Sequence, residues 1–251
     1  MVLCLNFKIL NVTQMKKNNP LILHIETATE ICSVALSEGD RLLQVIDYDQ
    51  SFSHAEKLME LINEVLEGNR LKTSDLDAVA VSIGPGSYTG LRIGVSTVKG
   101  LAYAMEIPVI AISTLSSIAL GAKKSVNING SYKIAPMIDA RRMEVYTALY
   151  DWEGVRLNEV HSEILDENSF REFLVKEPIL FCGNGSNKFK PLVEGNSNAL
   201  FSDATLSAKN MVQPALIKYK NEEFEDTAYF EPFYLKDYIP VKSTVKGLYS
   251  N

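Results

Sequence analysis

The chain has 251 residues, 46% of them hydrophobic and 22% charged, with 25 Lys and Arg against 31 Asp and Glu for a formal net charge of −6. That composition excludes disordered, collagen-like and disulfide-scaffold classes, and the length admits one large or two small domains, each with its own core. An acidic chain is also a poor nucleic-acid binder on its own, because neutralising phosphates requires clustered Lys and Arg.

Residues 1–14 are mildly apolar, without a basic start or a small-residue cleavage site. Met15 is a more natural start, so residues 1–20 are expected to form an extension ahead of the fold. Short β-branched runs at 21–25 and 31–36 predict two strands, joined by a hydroxyl-rich turn, Glu26-Thr27-Ala28-Thr29-Glu30. Glu38-Gly39-Asp40 signals a tight turn into a third strand over 41–48, completing an antiparallel meander.

Residues 53–66 predict a helix, with Ser53 and Glu56 as a capping box and Gly68 as its stop. Its apolar positions Ala55, Leu58, Leu61, Ile62, Val65 and Leu66 recur at helical spacing, and Met59 widens the arc. A nearly continuous apolar strand follows at 77–83, as expected where both faces of a sheet are covered. Gly84-Pro85-Gly86-Ser87-Tyr88-Thr89-Gly90 then leads into a second helix over 91–105, a strand at 109–112 and a short helix at 114–120. Gly90, Gly94 and Gly100 each cost that helix about 1 kcal/mol relative to Ala, which points to close packing against a neighbour.

A polar loop at 121–131 predicts a boundary, giving a first subdomain of 21–121 and a second of 132–251. In the second, strands are expected at 132–138, at 144–150 and 155–162 paired across Asp151-Trp152-Glu153-Gly154, and at 178–182. Helices are expected at 168–175 and at 207–219, the latter interrupted by Pro214, and the aromatic tail 229–238 is expected to pack on the core. No internal repeat emerges by simple shift. Both halves nevertheless mix strands and helices, and the βββαβαβ order of the first is that of an α/β, actin-like and ribonuclease H-like (ASKHA) fold with two related subdomains.

Local chemistry is sparse. Cys4, Cys32 and Cys182 form no CxxC pair, which argues for a reduced, cytoplasmic protein rather than a disulfide framework. No run reaches the roughly 18–20 apolar residues of a membrane span. The Gly84, Gly86 and Gly90 loop could cradle phosphate with its backbone N–H groups, or simply make a tight turn; it lacks the lysine of a P-loop. Glu26, Thr27 and Thr29 could orient a magnesium-bound phosphate, or bond nearby backbone. His24, His54 and His161 have no visible partners in sequence. Asp139-Ala140-Arg141-Arg142 could grip an anion or form surface ion pairs. No Ser-His-Asp order and no HExxH occur, so local patterns leave catalysis undemonstrated.

Three blocks in order, at 21–36, 53–66 and 78–115, resemble the TsaB (YeaZ) family, the bacterial subunit used in making N6-threonylcarbamoyladenosine at position 37 of tRNA. GPGSYTGLRIG is the most diagnostic part, and MIDARRMEVYTALY extends the likeness to about residue 150. The resemblance implies an actin-like fold paralogous to TsaD, the catalytic subunit. In TsaD-like chains a His-x-x-x-His pair that binds the metal follows the strand after the second helix, and Thr114 and Ile118 stand there in this chain. Glu26 departs from the family's usual aspartate, which weakens any magnesium-nucleotide site.

The resemblance therefore implies a non-catalytic scaffold, with no cofactor of its own and with ATP and metal on partner subunits. Those partners are a TsaD-type catalytic subunit and a TsaE-type ATPase, with tRNA reached indirectly, a homodimer when the partner is absent, and no membrane. The first two helices are expected to pair with the partner's through Leu58, Leu61, Ile62, Val65, Ile93, Val95, Val98 and Leu101, unless these residues fill the monomer core. An actin-like ATPase or kinase using the Glu26–Thr29 and Gly84–Gly90 loops is the alternative; a metallopeptidase is a third reading.

Overall fold

The structure, a computed structural model, describes residues 17–49, 54–128 and 130–236, so residues 1–16 of the proposed extension, Cys4, Ser53 and the side chain of His54 lie outside the described residues. Five strands, β1 (Leu21–Glu26), β2 (Cys32–Glu38), β3 (Arg41–Tyr48), β4 (Ala78–Ser82) and β5 (Val109–Ile112), form one sheet in the order β3-β2-β1-β4-β5. The first three are antiparallel neighbours, whereas β4 and β5 run parallel to β1. Helix α1 (His54–Gly68) joins β3 to β4, α2 (Tyr88–Met105) joins β4 to β5, and α3 (Thr114–Ser125) follows β5.

The second sheet contains β6 (Lys133–Asp139), β7 (Glu144–Thr147), β8 (His161–Ile164), β9 (Ile179–Cys182) and β10 (Ala199–Phe201) in the order β10-β9-β6-β7-β8. Numbered within its own half, this is the first sheet's order, and every pairing has the same sense: β6 with β7 and β7 with β8 antiparallel, β6 with β9 and β9 with β10 parallel. The repeat missed in the sequence is thus present in the topology. Its crossover helices are short, α4 (Arg171–Leu174) and α5 (Ser186–Phe189), and α6 (Val212–Asn221) ends the second half as α3 ends the first.

The halves exchange these last helices. Leu115, Ile118, Ala119 and Ala122 of α3 pack with Ile134, Ile138, Leu180 and Cys182 of the second sheet. Reciprocally, Ala215 of α6 and the preceding Ala208 and Met211 pack under Ile22, Ala35, Ala80 and Ile110 of the first. The opposite face of the first sheet is covered by α1 and α2. On the second sheet that role falls to α4, α5 and their flanks, where Phe170 and Phe189 meet Phe181 of β9 with 4.8–5.5 Å between ring centroids.

Several sequence expectations change in detail, among them the end of α3, which runs to Ser125 into the loop expected at 121–131. The turn at 151–154 forms, but the ladder beyond it pairs Glu144 with Ile164 and Thr147 with His161, and Leu149 N–H donates to Asn158 Oδ1 instead of continuing that ladder. Pro214 does not interrupt a helix. A 3₁₀ turn at Ala208–Met211 passes directly into α6, and Pro214 sits in its first turn, where no N–H partner is needed. Among the described residues, no helix is long and apolar enough to cross a membrane.

Candidate functional site

The carboxyl ends of β1 and β4 meet where the strand order reverses, since β1 leads to β2 on one side and β4 lies on the other. Open α/β sheets place ligands at such a point. Here the loops after the two strands are bonded to each other. Glu26 ends β1 fully buried, and its Oε1 accepts from Ala28 N–H at 2.7 Å and from the Ser82 hydroxyl, at the end of β4, at 2.6 Å. Among the described residues its Oε2 has no hydrogen-bond partner. Burial pushes this carboxyl from its ordinary 4.5 up to about 7, against the lowering effect of the bonds from Ser82, Ala28 and Thr27.

Thr27 is equally buried and donates to Gly90 O at 2.8 Å, which docks the start of α2 on the β1–β2 turn. Ser87 N–H donates to Ala28 O at 2.7 Å, and a Cβ at Gly86 would collide with that same carbonyl. Ser87 caps α2 by accepting from Gly90 N–H at 3.3 Å. Gly84, at φ 118°, donates its N–H to Thr114 Oγ1 at 3.0 Å, and Thr114 N–H returns a bond to Gly84 O at 3.1 Å. Thr29 lies at the rim, its hydroxyl accepting from Ile31 N–H at 3.4 Å. The structure therefore assembles Glu26, Thr27, Gly84, Gly86 and Gly90, and spends many of their polar groups on one another.

Thr114 is fully buried, and Ile118, one turn on, is 2% exposed within the core that α3 forms against the second sheet. Among the described residues, no three His, Cys, Asp or Glu side chains converge in a way that could hold a metal ion. His24 is buried with Nε2 2.8 Å from Ser37 Oγ, and desolvation pushes it down to about 3. His161 lies beside Glu163 on β8. Cys32 and Cys182 are buried and unbridged, and burial raises both thiols, Cys32 to about 11.

The second half makes a related contact between its first strand, β6, and its own Gly-rich loop. Gly185 N–H donates to Met137 O at 3.0 Å, as Ser87 does to Ala28 O. Asn184 accepts from Asp139 N–H at 2.9 Å and donates to Glu30 at 3.1 Å, which ties the two hairpins together. Asp139 accepts from Lys188 Nζ at 2.6 Å and from Arg141 N–H at 2.6 Å, while Arg141 and Arg142 extend to solvent from left-handed backbone. Asn184, Lys188 and Glu30 escaped the sequence reading. A signal was present: Gly84-Pro85-Gly86-Ser87 and Gly183-Asn184-Gly185-Ser186 each follow a strand and open a helix.

The partner-binding assignment on the helices needs correction. Leu58, Leu61, Ile62 and Val65 of α1 and Val95 and Val98 of α2 are at most 4% exposed and lie in the core against the first sheet; Ile93 and Leu101 are partly buried against the same cluster. Those six sealed side chains cannot meet a partner in this fold, whereas Ile93 and Leu101 keep part of their surface. Solvent instead sees Glu56, Met59, Glu60 and Asn63 of α1, and Arg92, Gly100 and Tyr103 of α2, with Tyr103 85% exposed. Only Phe230 of the described tail aromatics is buried; beyond it the segment follows α2, with Lys99 Nζ donating to Phe230 O, Phe233 N–H to Ile83 O, and Lys236 bonding Glu144 of the second half at 2.6 Å.

A family model described as "TsaD: tRNA N6-adenosine threonylcarbamoyltransferase" matches residues 48–237. The tRNA threonylcarbamoyladenosine biosynthesis protein TsaB of Bacillus subtilis is 32% identical over 69% of this chain and 75% of its own length. The protein of the same name in Haemophilus influenzae is 28% identical over 89% of this chain and 97% of its own. Among solved structures, YeaZ from Pseudomonas aeruginosa superposes with a TM-score of 0.72 at 26% identity, over 86% of this chain and all of that one.

Proposed function

The chain belongs to the TsaB (YeaZ) family, and from that premise we propose that it is a non-catalytic subunit that binds and activates a TsaD-type threonylcarbamoyltransferase acting on tRNA adenosine 37. One observation carries this reading. At the position where the TsaD likeness would put a metal-binding histidine pair, Thr114 is hydrogen-bonded in both directions to Gly84 and Ile118 is in the core. These residues do structural work, and neither side chain is a good ligand for a transition metal. Glu26 supports the reading too, since its carboxyl is sealed from solvent and held toward its neutral form, a poor magnesium ligand.

ATP and metal then belong to the companion subunits, with a TsaE-type ATPase joining the pair and tRNA reached through the complex, in keeping with a chain of net charge −6. The docking face is the solvent side of α1 and α2, where Gly100 and Ala104 permit close approach beside Tyr103. Tyrosine is enriched among the residues that dominate binding energy.

The test is reconstitution of tRNA modification from threonylcarbamoyl-adenylate. Neither this chain nor its partner alone should turn over, and the mixture should. Tyr103→Glu should retain its circular dichroism spectrum yet lose co-purification and activation. Full activity from either component alone would sink the assignment.

A further inference from the structure

On the side of the first sheet where the β2–β3 turn lies, a cavity of about 450 Å³ is walled by that turn, the end of α3, the loop after β10 and the start of α6. It therefore touches both halves of the molecule, and none of the loops of the candidate site lines it. Asn210 is part of its wall at only 4% exposure, and its side-chain amide has no hydrogen-bond partner among the described residues. The amide lies against Gly121, where a Cβ would collide with its nitrogen and its Cγ, so that the absence of a side chain on α3 makes room for it. The amide is not sealed from solvent but lies on the cavity wall, where a ligand offering both an acceptor and a donor can bond it.

Four exposed charges surround the opening: Lys124 and Lys209, and Asp40 and Asp203. None has an ion-pair partner among the described residues, so opposite charges share one rim without closing on each other. A plain anion would be repelled by the two carboxylates and a plain cation by the two ammonium groups. A molecule carrying both signs, with a carboxylate for the lysines and the amide N–H and an ammonium for the aspartates and the amide oxygen, satisfies every group. We propose that this cavity between α3 and α6 binds a free α-amino acid, a small zwitterion, at a site separate from the loop cluster and from the α1–α2 face.

The experiment uses the full chain, with melting temperature recorded against the twenty free L-amino acids, and with succinate and putrescine as single-sign controls; calorimetry follows on any that stabilise. At least one amino acid should raise the melting temperature and titrate at one site. Asn210→Ala and Lys209→Glu should each weaken it by about tenfold or more. Gly121→Ala should abolish it by displacing the amide; if that variant fails to fold, the exposed Lys209→Glu still decides. The proposal is overturned if no amino acid binds up to about 10 mM, if succinate or putrescine binds as well, or if binding survives Asn210→Ala. None of these readouts involves a partner subunit, so failure here leaves the proposed function standing.

Discussion

The two halves share one sheet topology and differ in what covers it. In the first, crossovers of 15 and 18 residues, α1 and α2, lie on the sheet; in the second, the equivalent crossovers have helices of four residues each, α4 and α5. Short helices are marginal alone and depend on tertiary packing, and the aromatic cluster around Phe181 supplies it in the second half. One turn of helix is therefore enough to seal such a sheet. The extra length of α1 and α2 adds a second, solvent-facing surface, the one proposed above to meet the partner subunit.

The largest expected effect breaks the comparison at the core. Leu61→Glu buries an unpaired carboxylate under α1 and should unfold the chain, at a cost above about 4 kcal/mol. Phe181→Ala, at the matching depth of the second half, should cost about 3–5 kcal/mol. Denaturant titration followed by circular dichroism measures both. A well-folded Leu61→Glu protein that only lost its partner would restore the stripe on α1 as the docking surface.

Next in size is the response to pH at the buried switch point of the first sheet. Because the fold holds the Glu26 carboxyl up at about 7, the folded chain binds the extra proton between pH 4.5 and 7. Stability from this residue is complete below that window and falls by about 3 kcal/mol as pH rises through it. His24 has the opposite sign: held neutral down to about 3, it withdraws stability as pH falls below 6.5. Glu26→Gln keeps an acceptor for Ala28 and Ser82, so its melting temperature at pH 8 should exceed that of the parent and its decline above pH 5 should flatten. Equal pH profiles for the two proteins would contradict the burial argument.

The smallest effect sharpens the comparison at the boundary between the halves. Glu30 and Asn184 bond between the halves but are both accessible to water, so Glu30→Ala should cost less than about 1 kcal/mol. A larger loss would mean that polar cross-links, more than the exchanged helices α3 and α6, hold the halves together.

Much of the first half was legible in the sequence. The β-branched runs, the turn at Gly39 and the long amphipathic pattern of 53–66 are local signals, and each became the expected element. Helix α2 starts at Tyr88, a turn earlier than its apolar pattern, because Ser87 caps it. The second half was harder because strands of three or four residues and helices of four are too short for periodicity to register. The GPGS and GNGS pair was the one visible trace of the duplication.

By itself the sequence determined the order of elements in the first half, the turn chemistry and the family likeness, all of which reside in neighbouring residues or in short blocks. Tertiary structure alone decided that the apolar stripes of α1 and α2 face the sheet, that α3 and α6 change places, and that Glu26 is closed off from water. Periodicity shows that a helix has an apolar face. What that face meets depends on contacts between residues far apart in the chain, and no local pattern encodes them.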